Sequence, residues 1–247
     1  MLTAEPAGGA PGVAAMAALP AGRCLNLPAI AAALRAVQCR FPEINRHLQS
    51  PRDRLDDVVI DNILSGYAYV DSAITAGVDF LAMGSVRHLL ELNARVLCGI
   101  DPRNRQENRT HLRLTEEHFY DDAQGGIRDI VEWYQLHRDE SPWRRAAGVY
   151  VRMLSQPQLF IEGNHRTGAL IMSYLLAREG RPPFVLTIDN ARAYFDPSTV
   201  ITRTKKTSLV MLYRLPAIKK TFAAFLKQQA SPSFLLPGRE PAATPAD

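Results

Sequence analysis

An all-α bundle carrying one small β element is the architecture this sequence predicts, and three observations predict it. Across most of the chain, apolar residues recur at three- and four-residue spacing. Helix punctuation accompanies them, with Ser141-Pro142 as a cap and first position and with Gly99 and Gly180 as stops. Against this background Thr110-His-Leu-Arg-Leu-Thr115 alternates with period two, as a short strand does.

Taken in order, residues 1–26, rich in Ala, Gly and Pro, read as a flexible N-terminal tail. Residues 27–100 read as a helical N-terminal region. Pro28–Arg40 places Ile30, Leu34 and Val37 on one face. Leu55–Ile74 places Val58, Val59, Asn62, Ile63, Tyr67 and Val70 along a stripe. Ser85 stands where it could cap a helix through Leu89, Leu90, Asn93 and Leu97 that stops at Gly99. Residues 101–230 read as a core unit that starts with the polar, strand-like stretch Asp101–Asp121. Gly126–His137 returns to helix with Ile127, Ile130, Val131 and Tyr134 inward. The helix after Ser141 turns Ala146, Ala147, Tyr150, Met153 and Leu154 inward and is expected to end at Pro157. Beyond Gly180, Phe184–Ile188 suits a short extended piece, Asp189–Tyr194 opens a polar turn or helix, and Pro216–Gln229 closes the unit with Ile218, Phe222, Phe225 and Leu226 inward. Residues 231–247, with four prolines, read as a second tail.

With 247 residues, 47% of them hydrophobic and 22% charged, the chain can bury a sizeable core. A net charge of +4 and a pI near 9.1 suit an anionic ligand but make no case for nucleic acid. The pairs Lys205-Lys206 and Lys219-Lys220 read as a solvated face; a helical nucleic-acid binder built on them would need a steep salt dependence. Cys24, Cys39 and Cys98 are odd in number and lack metal-ligand spacing, which argues against a disulfide framework and against zinc. The N-terminus has no basic n-region, and nothing approaches the roughly 18 apolar residues of a membrane span. The expectation is a soluble cytoplasmic protein without a membrane partner.

The candidate site is Phe160-Ile161-Glu162-Gly163-Asn164-His165-Arg166-Thr167-Gly168, which opens into the apolar run Ala169–Leu176 with Leu170, Ile171, Tyr174 and Leu175 at helical spacing. A helix N-terminus presents unpaired N–H groups and the positive end of a dipole, so it suits an anion. A carboxylate beside it makes sense if Mg²⁺ joins the two, because that ion is held by one or two carboxylates and substrate phosphates. A surface turn capping a core helix would show the same residue types.

Read from Gln158 to Ala169, this stretch resembles the signature of the Fic/Doc (Fido-fold) family, His-x-Phe-x-(Asp/Glu)-Gly-Asn-Gly-Arg-x-x-Arg. The likeness runs over roughly 108–194 and takes in an Asn-Ala-x-x-Tyr segment, Asn190–Tyr194. It implies a Fic/Doc-like helical bundle with a β-hairpin flap, here Thr110–Thr115, before the motif helices. It also implies transfer of AMP from ATP, or of another group from another nucleotide, to a Ser, Thr or Tyr hydroxyl of a target protein, with Mg²⁺ as cofactor and an antitoxin-like regulator as a further partner the family allows. On this likeness Glu162 would hold the metal. Gly163, Asn164, His165, Arg166, Thr167 and Gly168 would bind nucleotide phosphate, and Phe160 would fix the loop in the core.

Three departures weigh against full activity. Gln158 stands where the resemblance places the catalytic His, with Gln156-Pro157 as the alternative register. An amide does not titrate near neutrality, and losing a general base typically costs about 10²–10⁴-fold in rate. His165 replaces a small Gly; Doc-type members, which transfer phosphate, carry a larger residue there. Ala169 replaces the second Arg, and no Ser/Thr-x-x-x-Glu-Gly/Asn string that would pair with such an Arg occurs: Glu107, Glu162 and Glu179 all lack Ser or Thr four residues earlier. The chain is therefore expected to be an AMP transferase with a degenerate site, a Doc-like phosphotransferase, or a nucleotide-binding module without turnover.

Overall fold

A computed structural model describes residues 23–206 and 209–237, with the side chains of 23, 24, 124, 209–214 and 237 falling outside the description. Among the described residues, two three-residue strands, β1 (Arg23–Leu25) and β2 (Leu235–Pro237), frame ten α-helices: α1 (Leu27–Arg46), α2 (Asp57–Thr75), α3 (Arg87–Cys98), α4 (Pro102–Glu107), α5 (Arg109–Tyr120), α6 (Ile127–Leu136), α7 (Pro142–Leu154), α8 (Asn164–Ala177), α9 (Ala191–Thr202) and α10 (Leu209–Gln228). The strands pair antiparallel, Leu25 opposite Leu235. Ordered structure thus extends to Pro237, past the expected boundary at 230. Of the tails expected over 1–26 and 231–247, residues 1–22 and 238–247 lie outside the described residues.

Helix α8 is the axis of the bundle. Leu170, Ile171, Met172, Tyr174, Leu175 and Leu176 are all buried, so the helix is covered on every side, as an apolar helix must be in the middle of a domain. It packs against α7, α2 and α3. Two glycines allow the closest approaches. A Cβ on Gly66 of α2 would lie 2.3 Å from Leu170, and one on Gly168 would lie 2.8 Å from the Tyr150 ring of α7. Tyr67 and Ser173 both donate to the Phe184 carbonyl, at 2.7 and 2.6 Å, which pins the extended segment after α8 to the bundle. That segment pairs with no strand.

Four of the described α-helix starts carry a side-chain cap. Asn26, Asp56 and Ser141 each accept a hydrogen bond from the N–H three residues on, in α1, α2 and α7. Helix α3 differs: Val86 holds the cap position and makes no side-chain cap bond, so Ser85 does not cap it. On α2 the buried line is Ile60, Tyr67, Val70 and Ala73, while Val58 is exposed; the true stripe is offset from the expected one. Helix α7 ends at Leu154, three residues before Pro157.

The expected β-hairpin flap is not there. Residues 110–115 lie within α5. The alternation of Leu112 and Leu114 misled because the helix buries Thr115 and Phe119, four apart, and leaves Leu114 exposed. Phe119 stacks on Phe160 with ring centroids 5.6 Å apart, so α5 braces the motif loop directly.

The basic pairs are only half solvated. Lys205 and Lys220 are exposed, but Lys206 donates to the Gly125 carbonyl at 2.8 Å, and burial pushes its pKa down to about 8. Lys219 pairs with Glu140 at 2.8 Å and sits over the Trp133 ring. No helix among the described residues is long and apolar enough to cross a membrane.

Candidate nucleotide site

Helix α8 begins at Asn164, not at Thr167, because Gly163 takes the left-handed conformation, with φ 75°, that turns the chain into the helix. A Cβ there would also lie 3.0 Å from Asn93 Nδ2 and 3.2 Å from Leu97. The Gly163 carbonyl accepts from Thr167 N–H at 2.9 Å. The first-turn N–H groups without an intrahelical partner are consequently those of Asn164, His165 and Arg166.

The loop ahead of the helix is held by side-chain amides. Asn164 Oδ1 accepts from Phe160 N–H at 3.0 Å, and its Nδ2 donates to the Phe160 carbonyl at 2.7 Å and to Gln158 Oε1 at 3.1 Å. From α3, buried Asn93 donates through Nδ2 to the Glu162 carbonyl at 2.9 Å and to Thr167 Oγ1 at 3.0 Å. Asn164 is therefore a clamp on the loop, and its side chain has no donor left for a ligand.

A cavity of about 280 Å³ opens beside this loop. Glu162, Gly163, Asn164, His165, Arg166 and Ala169 line it; Gln158, Thr167 and Gly168 do not. Thr167 and Gly168 are buried and face α3 and α7. Gln158 donates through Nε2 to the Leu154 carbonyl at 3.3 Å, so both ends of its amide are engaged. Gln156 points elsewhere, to the Thr202 carbonyl, so Gln158 is the residue whose amide meets the loop.

The opposite walls come from residues outside the motif. Phe41, Leu55, Ile63, Phe184 and Phe195 form an apolar side, and Arg52, Asp53 and Arg54 reach in from the loop between α1 and α2. Arg52 Nη1 donates to His165 Nε2 at 3.3 Å across 113 residues of sequence. A guanidinium can only donate, so Nε2 is the acceptor and Nδ1 carries the proton, facing Tyr150 Oη at 3.3 Å. Burial, then the charges of Arg52 and Arg166, push the His165 pKa down to about 4, so the ring is neutral at neutral pH. Arg166 is itself pushed down by burial; it donates weakly to the Val96 carbonyl at 3.4 Å and lies 3.7 Å from Glu162. The only local hint of this wall was Ser50-Pro-Arg-Asp-Arg54, a Pro-led run of charge between two helices.

A second residue that sequence order hid is His118 of α5, which meets the Gln158 carbonyl through Nε2 at 2.8 Å. Along the chain it is 40 residues from Gln158. In space it is the imidazole that abuts the start of the loop, although it does not line the cavity.

Oxygen donors suit a hard cation here: Glu162 and Asp53 both border the cavity and Glu162 is 62% exposed. Among the described residues no group of three or more His, Cys, Asp or Glu side chains could hold a metal alone. Any Mg²⁺ would therefore need further ligands from water or a bound molecule.

One stretch of the chain is similar to the protein adenylyltransferase fic-1 of Caenorhabditis elegans, 29% identical over 124 residues. The match covers 45% of this chain and 23% of that protein, so the chain corresponds to less than a quarter of its relative. No family model matches, and no solved structure matches. The similarity supports a relationship to Fic-domain proteins.

Proposed function

We propose that this protein is a Fic-like nucleotide-binding protein that holds the phosphates of ATP at the N-terminus of α8 and passes AMP slowly to a hydroxyl of a protein target. The observation that carries the reading is the convergence of Arg166, Arg52 and the free first-turn N–H groups on one cavity with an apolar wall. A phosphate chain suits the first group and a nucleobase suits the second. Similarity to a protein adenylyltransferase supports AMP as the transferred group.

The residues divide by task. Arg166 and the N–H groups of His165 and Arg166 face phosphate oxygens. Glu162 is the metal ligand in this reading, and bound Mg²⁺ would neutralise developing charge on the phosphates. Gly163 lets the backbone approach, and Asn164 keeps the loop in shape. Neither Gln158 nor His165 stands ready to take the proton of an attacking hydroxyl. The Gln158 amide does not titrate, and His165 is kept neutral with Nε2 already engaged by Arg52. What remains is electrostatic stabilisation, the part of such catalysis that needs no base.

One observation favours a second reading, a binding module without turnover: both ends of the Gln158 amide are tied into the loop. Incubation of the purified protein with α- or γ-labelled ATP, Mg²⁺ and a lysate separates the possibilities. The proposal expects a weak band from the α label alone. A band from the γ label would make it a phosphotransferase, and no band alongside measurable ATP affinity would establish the binding module.

A further inference from the structure

We propose that Arg52 is an anion-contacting residue of this cavity, supplied by the α1–α2 loop and gripping the ligand's phosphate chain together with the start of α8. The inference rests on the nucleotide reading and adds to it a residue that lies outside the motif. Its backbone is fixed first. Asn45 accepts from Arg52 N–H at 2.7 Å and donates to the Arg52 carbonyl at 2.9 Å, a two-way clamp on an otherwise exposed loop. The guanidinium is fixed next. Nη2 donates to Thr199 Oγ1 at 2.7 Å, to the Phe195 carbonyl at 3.2 Å and to Ser198 Oγ at 3.3 Å, and the group lies 5.5 Å from the centre of the Phe195 ring.

All those partners are neutral. Among the described residues no carboxylate forms an ion pair with Arg52, whereas Arg35, Arg95, Arg105, Arg145, Arg152 and Arg178 each have one. Its Nε is buried without a hydrogen-bond partner, and one Nη1 hydrogen remains after the bond to His165. A partly buried cation whose partners are all neutral is costly for the free protein, and an anion would relieve it. Position 169 of α8 also lines the cavity and carries only the methyl of Ala169, so Arg166 is the cation that α8 brings to the lining beside Arg52. Its other bonds hold the guanidinium in place and leave one Nη1 hydrogen to meet a phosphate oxygen.

The test compares the full chain with Arg52→Gln and Arg52→Lys, using calorimetry with Mg²⁺-ATP and with pyrophosphate as a base-free probe. Arg52→Gln is expected to weaken both ligands about 10–100-fold, the usual effect of losing a hydrogen bond to a charged group. Arg52→Lys, which keeps the charge and loses the planar guanidinium, is expected to fall between and serves as the readout if the Gln variant does not fold. Unchanged affinities in a folded variant, with any loss confined to melting temperature, would make Arg52 a structural brace and overturn the inference. Pyrophosphate binding that depends on Arg52, with no nucleotide bound, would keep Arg52 as an anion contact and discard the nucleotide. Binding of neither by the native chain would discard both.

Discussion

His165 carries the sharpest residue-level consequence. Its folded pKa near 4 lies below the usual 6.5, so the unfolded chain binds the extra proton first. The stability this group preserves is complete above pH 6.5 and is lost as pH falls towards 4, by up to ~1.4 kcal/mol per pH unit. Denaturant titrations between pH 7 and 4.5 are expected to show this slope, and His165→Gln to flatten it; equal slopes would mean that the ring protonates freely. The groups facing the ring are Arg52, Arg166 and Tyr150, two of them cations, so nothing near it favours the charged form. Gln158 supplies a second test. Gln158→His is expected to raise α-label transfer by about 10²–10⁴-fold, the range a general base contributes, while Gln156→His, whose side chain points to Thr202, should change nothing. At this scale the motif residues were legible because their types alone suggest an anion site. What their side chains touch was not: Asn164 looks like a ligand donor in sequence and is a loop clamp in space.

At the scale of elements, the turn into α8 depends on one backbone conformation and one buried amide. Gly163→Ala would force a left-handed residue that costs roughly 1–2 kcal/mol and bring its Cβ to 3.0 Å from Asn93. Asn93→Ala would leave the Glu162 carbonyl and Thr167 hydroxyl without their donor, at about 1–3 kcal/mol for an unsatisfied buried group. Both should lower the denaturation midpoint and weaken nucleotide binding together, whereas a stability loss with normal affinity would separate loop geometry from the site. Many of the helices were readable, since the Ser141 cap and apolar spacing are local patterns, whereas Asn26, assigned to the expected tail, and Asp56 proved to be caps only in the structure. α5 was misread for a physical reason. Thr110–Thr115 is too short to distinguish period two from a helix, and the deciding residue, Phe119, finds its partner Phe160 only in the tertiary fold.

Across the whole molecule, the cavity exists because α8 is buried on all sides and leaves only its N-terminus open to ligand. Around that end the fold gathers segments distant in sequence: the α1–α2 loop with Arg52, α3 with Asn93, and α9 with Phe195. Half of the site, from Glu162 to Arg166, could be read as one contiguous string. The other half could not, because a contact spanning 113 residues leaves no local trace. Whether this junction binds nucleotide phosphate is tested most directly by calorimetry of the native chain and Arg166→Ala with Mg²⁺-ATP. The native chain should bind with a single site, and Arg166→Ala should weaken that binding about 10–100-fold while remaining folded. No binding by the native chain, or equal binding by both, would contradict this reading.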